Sequence, residues 1–90
     1  MAEQSIEHAL RRVLESLGSQ LPAIDHDNIE DFITYGENAL AAETLCDQMC
    51  EQGVVPTVET YDALMSILLR LRIDRTYIDL VPVPNRNTAP

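Results

Sequence analysis

Apolar residues in the first quarter of the chain recur at three- and four-residue steps. Ile6, Leu10, Val13, Leu14, Leu17 and Leu21 mark one face of a helix. Ser5 stands where an N-cap belongs, and Gly18 followed by Pro22 ends the segment. Ala23–Asn28 reads as a polar connector, after which Asp27 or Asn28 caps a short second helix over Ile29–Tyr35. That helix carries Ile29, Phe32 and Ile33 on one face and is broken by Gly36. A third helix runs from Glu37 to Gln52, with Leu40, Ala41, Leu45 and Met49 inward and Cys46 a further candidate for that face. An acid in its first turn suits the helix dipole, and Gly53 stands in the usual C-terminal place. After a loop over Gly53–Pro56, Thr57 caps a fourth helix whose stripe is Val58, Tyr61, Leu64, Met65, Leu68 and Leu71. Asp74 caps a last short helix that ends at Asp79 or Leu80.

Strand signals are weak by comparison. Val54-Val55 is too short for a central strand, and Val81-Pro82-Val83 is too rich in proline. The expected fold class is therefore all-α: a compact single domain of four to five helices with short loops. The domain is expected over 1–81, with a loose tail over 82–90. A length of 90 residues suits one domain, and an apolar fraction of 46% excludes disorder throughout. No apolar run is long enough to cross a membrane. Met1–Ser5 is not basic and leads into no apolar run, so no secretory leader is expected.

Charge changes the picture more than length does. Six basic residues against 15 acids leave a formal charge of −9. The basic residues are Arg11, Arg12, Arg70, Arg72, Arg75 and Arg86, so none falls between Val13 and Leu69. That stretch carries Glu15, Asp25, Asp27, Glu30, Asp31, Glu37, Glu43, Asp47, Glu51, Glu59 and Asp62. A one-signed field of this extent repels nucleic acid and anionic lipid, and it attracts cationic partners. Solubility alone is the plainer explanation of such a charge.

Chemistry-bearing constellations do not assemble. His8 lies early in the first helix and His26 lies in the connector between two aspartates, and neither has an identifiable nucleophile beside it. Cys46 and Cys50 share a helix face but lack a second cysteine pair or a histidine at ligand spacing. They read as free thiols, in keeping with a cytosolic protein. The run from Asp25 to Gly36 fails as a calcium loop, because Ile29, Glu30 and Gly36 occupy the positions of a ligand, the turn glycine and the closing glutamate. No Asp-Ser dipeptide offers a carrier-protein attachment site, and no glycine-rich phosphate loop occurs. No catalytic residue, metal or cofactor is expected.

Two resemblances bear on function. Met49-x-x-x-Gly53-x-x-Pro56, followed by Thr60-Tyr61-x-x-Leu64, looks like one pentatricopeptide-repeat unit. Such units work in arrays of about three or more on RNA, and the acidic middle of this chain is wrong for RNA. A longer run matches better. Ile29-x-x-Phe32-Ile33-x-x-Gly36-Glu37-x-x-Leu40-Ala41-x-Glu43-x-Leu45-Cys46-Asp47-Gln48-Met49-x-Glu51 resembles the central signature of MafI-type bacterial immunity proteins. The flanks agree in layout: a first helix ending in Leu21-Pro22, a Thr57-capped helix with Tyr61, and a short final helix. Two positions depart from the family pattern, Met49 for a leucine and Cys50 for an aromatic. The resemblance implies a cytoplasmic antidote that binds and neutralises a cognate toxin domain with a basic surface, commonly a nuclease. From the charge, no direct contact with nucleic acid or membrane is expected. The competing expectation is a small acidic helical adaptor with no toxin partner.

The candidate partner-facing residues follow from the charge pattern. Glu43, Asp47 and Glu51, four apart, share one stripe of the third helix. Asp25, Asp27, Glu30 and Asp31 cluster before and within the second helix, and Glu37 opens the third. Tyr35 and Tyr61 are possible aromatic anchors, with Tyr61 placed on the apolar stripe and so expected in the core.

Overall fold

Five α-helices follow one another among the described residues: α1 (Ile6–Leu17), α2 (Ala23–Thr34), α3 (Asn38–Gln52), α4 (Val58–Arg70) and α5 (Arg75–Ile78). A single 3-10 turn, Gly18–Gln20, links the first two. The computed structural model of the protein describes residues 5–85, and no strand occurs among them. The all-α expectation holds.

Three helix starts are the ones their capping residues announce. The Ser5 hydroxyl accepts the His8 N–H at 3.1 Å, and the Thr57 hydroxyl accepts the Thr60 N–H at 3.2 Å. The Asp74 carboxylate accepts the Thr76 N–H at 2.8 Å. Each satisfies one backbone donor that the first turn of a helix leaves unpaired.

The second helix corrects the sequence reading. Ala23–Asn28 is not a connector but the first half of α2, so His26 is helical and neither Asp27 nor Asn28 is a cap. The helix starts straight after Pro22, whose carbonyl accepts the N–H groups of Asp25 and His26 at 3.0 Å each. Proline suits a helix start because its φ is preset and no N–H is needed there. The period was hidden because the half-buried positions of this first half are the polar Asp25 and His26. Its one large apolar residue, Ile24, falls off the Ile29–Ile33 face and is exposed.

The core is shared by all the longer helices. Leu10 and Leu14 of α1, Ile29 of α2, Leu45 and Met49 of α3, and Leu64 and Leu68 of α4 are all essentially inaccessible. α2 packs most extensively on α3, α1 lies against α2, α3 and α4, and α5 rests on α3. Two inward positions differ from expectation. On α3 the buried pair is Ala41 and Ala42, while Leu40 stays 40% exposed. A face centred one residue away is equally periodic, and contact with the neighbouring helices selects the one that leaves Leu40 outside. On α4, Ile67 is buried although the stripe did not include it, while Val58, Tyr61, Met65 and Leu71 are only half-buried. Leu21, Val54, Ile73 and Val81 close the core from outside the helices. Of the segment expected as a tail, 82–90, the described part ends at Asn85 and includes a buried Pro84; residues 86–90 lie outside the described residues.

α2, α3 and α4 all end in the same six-to-one hydrogen-bonded turn. Glu37 N–H reaches Phe32 C=O at 2.8 Å, Val54 N–H reaches Met49 C=O at 2.9 Å, and Ile73 N–H reaches Leu68 C=O at 3.0 Å. This motif puts one residue in the left-handed region, where glycine carries no Cβ penalty. Gly36 and Gly53 fill that position after α2 and α3, but after α4 it is Arg72, at φ 55°. An L-residue there costs about 1–2 kcal/mol, against which glycine's greater freedom when unfolded takes back part. Arg72→Gly is therefore expected to stabilise the fold by about 0.5–1 kcal/mol. Urea denaturation checks it: the midpoint should rise at unchanged slope, and an unchanged or lower midpoint contradicts the strain.

Candidate partner-binding surface

All eight candidate acids lie on one helical hairpin. α2 and α3 are joined by only Tyr35, Gly36 and Glu37, and they pack on each other. Asp27 and Asp31, four apart, stand exposed on α2 while Ile29 and Ile33 point into the core. Asp47 and Glu51 stand exposed on α3, on the side away from Leu45 and Met49, with Glu43 half-buried on the same stripe. Glu37 is exposed at the junction; its backbone N–H closes the turn after α2, and its side chain makes no capping bond. Asp25, expected before the second helix, sits half-buried in its first turn.

Glu30 differs from the rest. Its carboxylate accepts from Arg11 Nε at 2.6 Å, and Arg11 Nη2 also donates to Thr34 Oγ1 at 3.0 Å. Thr34 Oγ1 in turn donates to the Glu30 carbonyl at 3.0 Å. The three side chains clamp α1 to α2. Both charged groups remain about two-fifths exposed, so the pair is worth no more than about 1 kcal/mol. Its consequence is for the surface charge, because Glu30 is already neutralised inside the domain. No sequence signal pairs residues 19 apart on different helices.

A second polar contact was also invisible in the sequence. Asn38 Nδ2 donates to Glu7 Oε2 at 2.6 Å and ties the start of α3 to α1. That hydrogen bond, with help from the Glu7 backbone N–H and the Arg11 charge, holds the Glu7 carboxyl below its usual value. Asn38 Oδ1 is buried with no donor among the described residues. The amide orientation follows from Glu7: turned over, the carbonyl oxygen would face a carboxylate.

The two cysteines part company. Cys46 is buried, and burial, aided by the charges of Asp47 and Glu43, pushes its thiol up to about 12. Cys50 is exposed, and both are free. Of the aromatic candidates, Tyr61 is half-buried against the core and Tyr35 is 80% exposed. Ile24, placed in the expected connector, is 70% exposed and emerges as an apolar surface feature of α2. His8 is exposed on α1 and His26 half-buried on α2. No group of three or more His, Cys, Asp or Glu among the described residues is placed to hold a metal ion. Two of the surface recesses among the described residues flank α1 and α2. One lies between α1 and α4, against Ala9, Arg12, Ser16, Glu59 and Ala63. The other lies between the 3-10 turn and α2, against Gly18, Leu21, Pro22, Ala23, His26 and Asp27.

Two predictions follow from this geometry. Asn38→Asp sets two carboxylates against each other, which raises the pair's pKa in the folded state above the unfolded value. The variant is destabilised at neutral pH, and its deficit shrinks as pH falls through the unfolded carboxylate range near about 4. In the parent the sign is opposite. Glu7's lowered pKa contributes stability above the unfolded value, and that contribution is lost as pH falls through the folded one. Urea midpoints of both proteins at pH 7 and pH 4 check this; an equal deficit at both pH values contradicts it. Second, an aromatic disulfide reagent at pH 8 should label one thiol per folded chain, Cys50, and two in denaturant. Rapid labelling of Cys46 in the folded protein contradicts its placement.

No helix among the described residues is long and apolar enough to cross a membrane. No protein-family model matches the chain, and no curated protein or solved structure matches it either.

Proposed function

We propose that the protein is a non-catalytic immunity protein, acting in the cytoplasm, that binds and blocks a cognate bacterial toxin domain with a basic surface, a ribonuclease or other nuclease. One observation carries the reading: α2 and α3 contain no Lys or Arg, and Asp27, Asp31, Glu37, Asp47 and Glu51 on that hairpin are exposed. The resemblance of Gly36-Glu37, Leu40-Ala41-x-Glu43 and Leu45-Cys46-x-Gln48 to immunity proteins falls on the same hairpin and supports it.

The physical basis is competition for cationic side chains. A nuclease holds phosphates through arginine and lysine in its cleft, by charge-assisted hydrogen bonds. Carboxylates presented on a rigid scaffold take the same donors. They give no scissile bond in return, so the cleft is occupied and nothing is turned over. Long-range attraction raises the encounter rate, which matters for an antidote that must reach its toxin before the substrate does. Glu30, held by Arg11, contributes least to that field.

Co-expression with the toxin domain encoded beside the gene should rescue growth, and the two chains should co-purify. No rescue and no complex would remove the reading and leave a helical adaptor in its place. Reversing Glu43, Asp47 and Glu51 to lysine should slow association by about tenfold or more at low salt, with helix content unchanged by circular dichroism. The deficit should narrow as salt screens the charges. An unchanged association rate would reduce the α3 stripe to an ordinary solvated face.

A further inference from the structure

The outer face of α2 carries more than charge. Ile24, Asn28, Asp31 and Tyr35 follow at steps of four, three and four, with Asp27 beside them, and all five are exposed. Ile24 and Tyr35 are the most exposed large apolar residues of the hairpin, at 70% and 80%. Eleven positions at helical rise separate them by about 16 Å along the axis. Single exposed apolar residues are ordinary. Here two of them bracket two carboxylates on one helix face, while Ile29 and Ile33 on the opposite face hold that helix against the core.

We propose that this face of α2 is the part of the surface that sets affinity, and that its occupant is a protein with basic residues set among apolar ones. The inference rests on the immunity reading for the partner's role and goes further in locating the anchor. Charge complementarity selects the occupant. A second copy of the chain would bring the same −9 against these aspartates, and phosphate backbones and anionic lipid are repelled alike. A basic protein meets Asp27 and Asp31 with arginine or lysine and covers Ile24 and Tyr35 with its own apolar surface. The recess between the 3-10 turn and the start of α2, which His26 also lines, receives an arginine of that partner. Leu21, Pro22 and Ala23 give apolar walls for its methylene stem, and Asp27 stands at the side for its guanidinium. Buried aromatic and aliphatic anchors govern dissociation, whereas peripheral charges govern encounter. The α2 face therefore sets the off-rate and the α3 stripe the on-rate.

The test uses the full chain, labelled with nitrogen-15, and its Ile24→Ser/Tyr35→Ser variant. Both substitutions are at exposed positions, and unchanged amide dispersion verifies the fold. The probe is a synthetic amphipathic helical peptide with arginines four apart and leucines on the adjoining face. Amide shifts concentrated over Ile24–Tyr35, and lost in the variant, support the anchor. Shifts spread over all the acids alike, or no binding at millimolar peptide, overturn it. With the neighbouring toxin domain, the variant should dissociate about tenfold or more faster at little change in on-rate. A complex with an unchanged off-rate overturns the anchor and leaves the immunity reading standing. Absence of any complex overturns the immunity reading, and the peptide result alone then decides the α2 face.

Discussion

Burial of one shared apolar core holds the whole structure together. Helices of 12 to 15 residues, such as α1 to α4, are marginal in isolation, because nucleating a helix costs more than its own hydrogen bonds return. Every fully buried residue among the core positions is apolar, and among the described residues no polar or charged residue is buried. Helicity, helix placement and the outward direction of the acids are thus consequences of one event, the closing of Leu, Ile, Val, Ala and Met side chains around a common centre. The polar contacts come second. Arg11–Glu30 and Glu7–Asn38 sit at the edge of the core and fix how α1 meets α2 and α3.

This division of labour permits an unusual surface. A hairpin with no positive charge of its own repels itself, and each exposed acid on it slightly disfavours the compact state. The core tolerates this because none of its stability depends on those side chains. Glu30 is neutralised by Arg11, an arginine from outside the hairpin. Asp27, Asp31, Glu37, Asp47 and Glu51 are exposed on that hairpin. Cys46 shows the same field from inside, its thiol made harder to ionise by burial first and by Asp47 and Glu43 second.

What could be read ahead of the structure depended on how local the signal was. Ser5, Thr57 and Asp74 each cap a helix from its own first residues, so the three starts were legible. Gly36 and Gly53 likewise act within one turn. The start of α2 was not legible, because its half-buried positions carry Asp25 and His26 rather than apolar residues and the period disappeared. The exchange of Leu40 for Ala42 in the core had no local cause either. A face centred one residue away is equally periodic, and only contact with neighbouring helices selects between the two. The acid positions of the candidate surface were legible as spacing, and Tyr35 was legible beside them, but the exposure of Ile24 was not, since it sat in a segment taken for a connector.

The chain alone determined that it is all-α, where most of its helices begin and end, and that its middle is uniformly acidic. These are properties of neighbours within one helical turn or of simple counting. The tertiary structure decided which acids stay free, which cysteine is sealed, and that Ile24 and Tyr35 share a face with Asp27 and Asp31. Each of those depends on which side of a helix the core claims, and that choice is made by packing between segments far apart in the chain. Arg11 meets Glu30, and Asn38 meets Glu7, for the same reason: the core sets their helices side by side, and the polar groups pair across the seam it leaves.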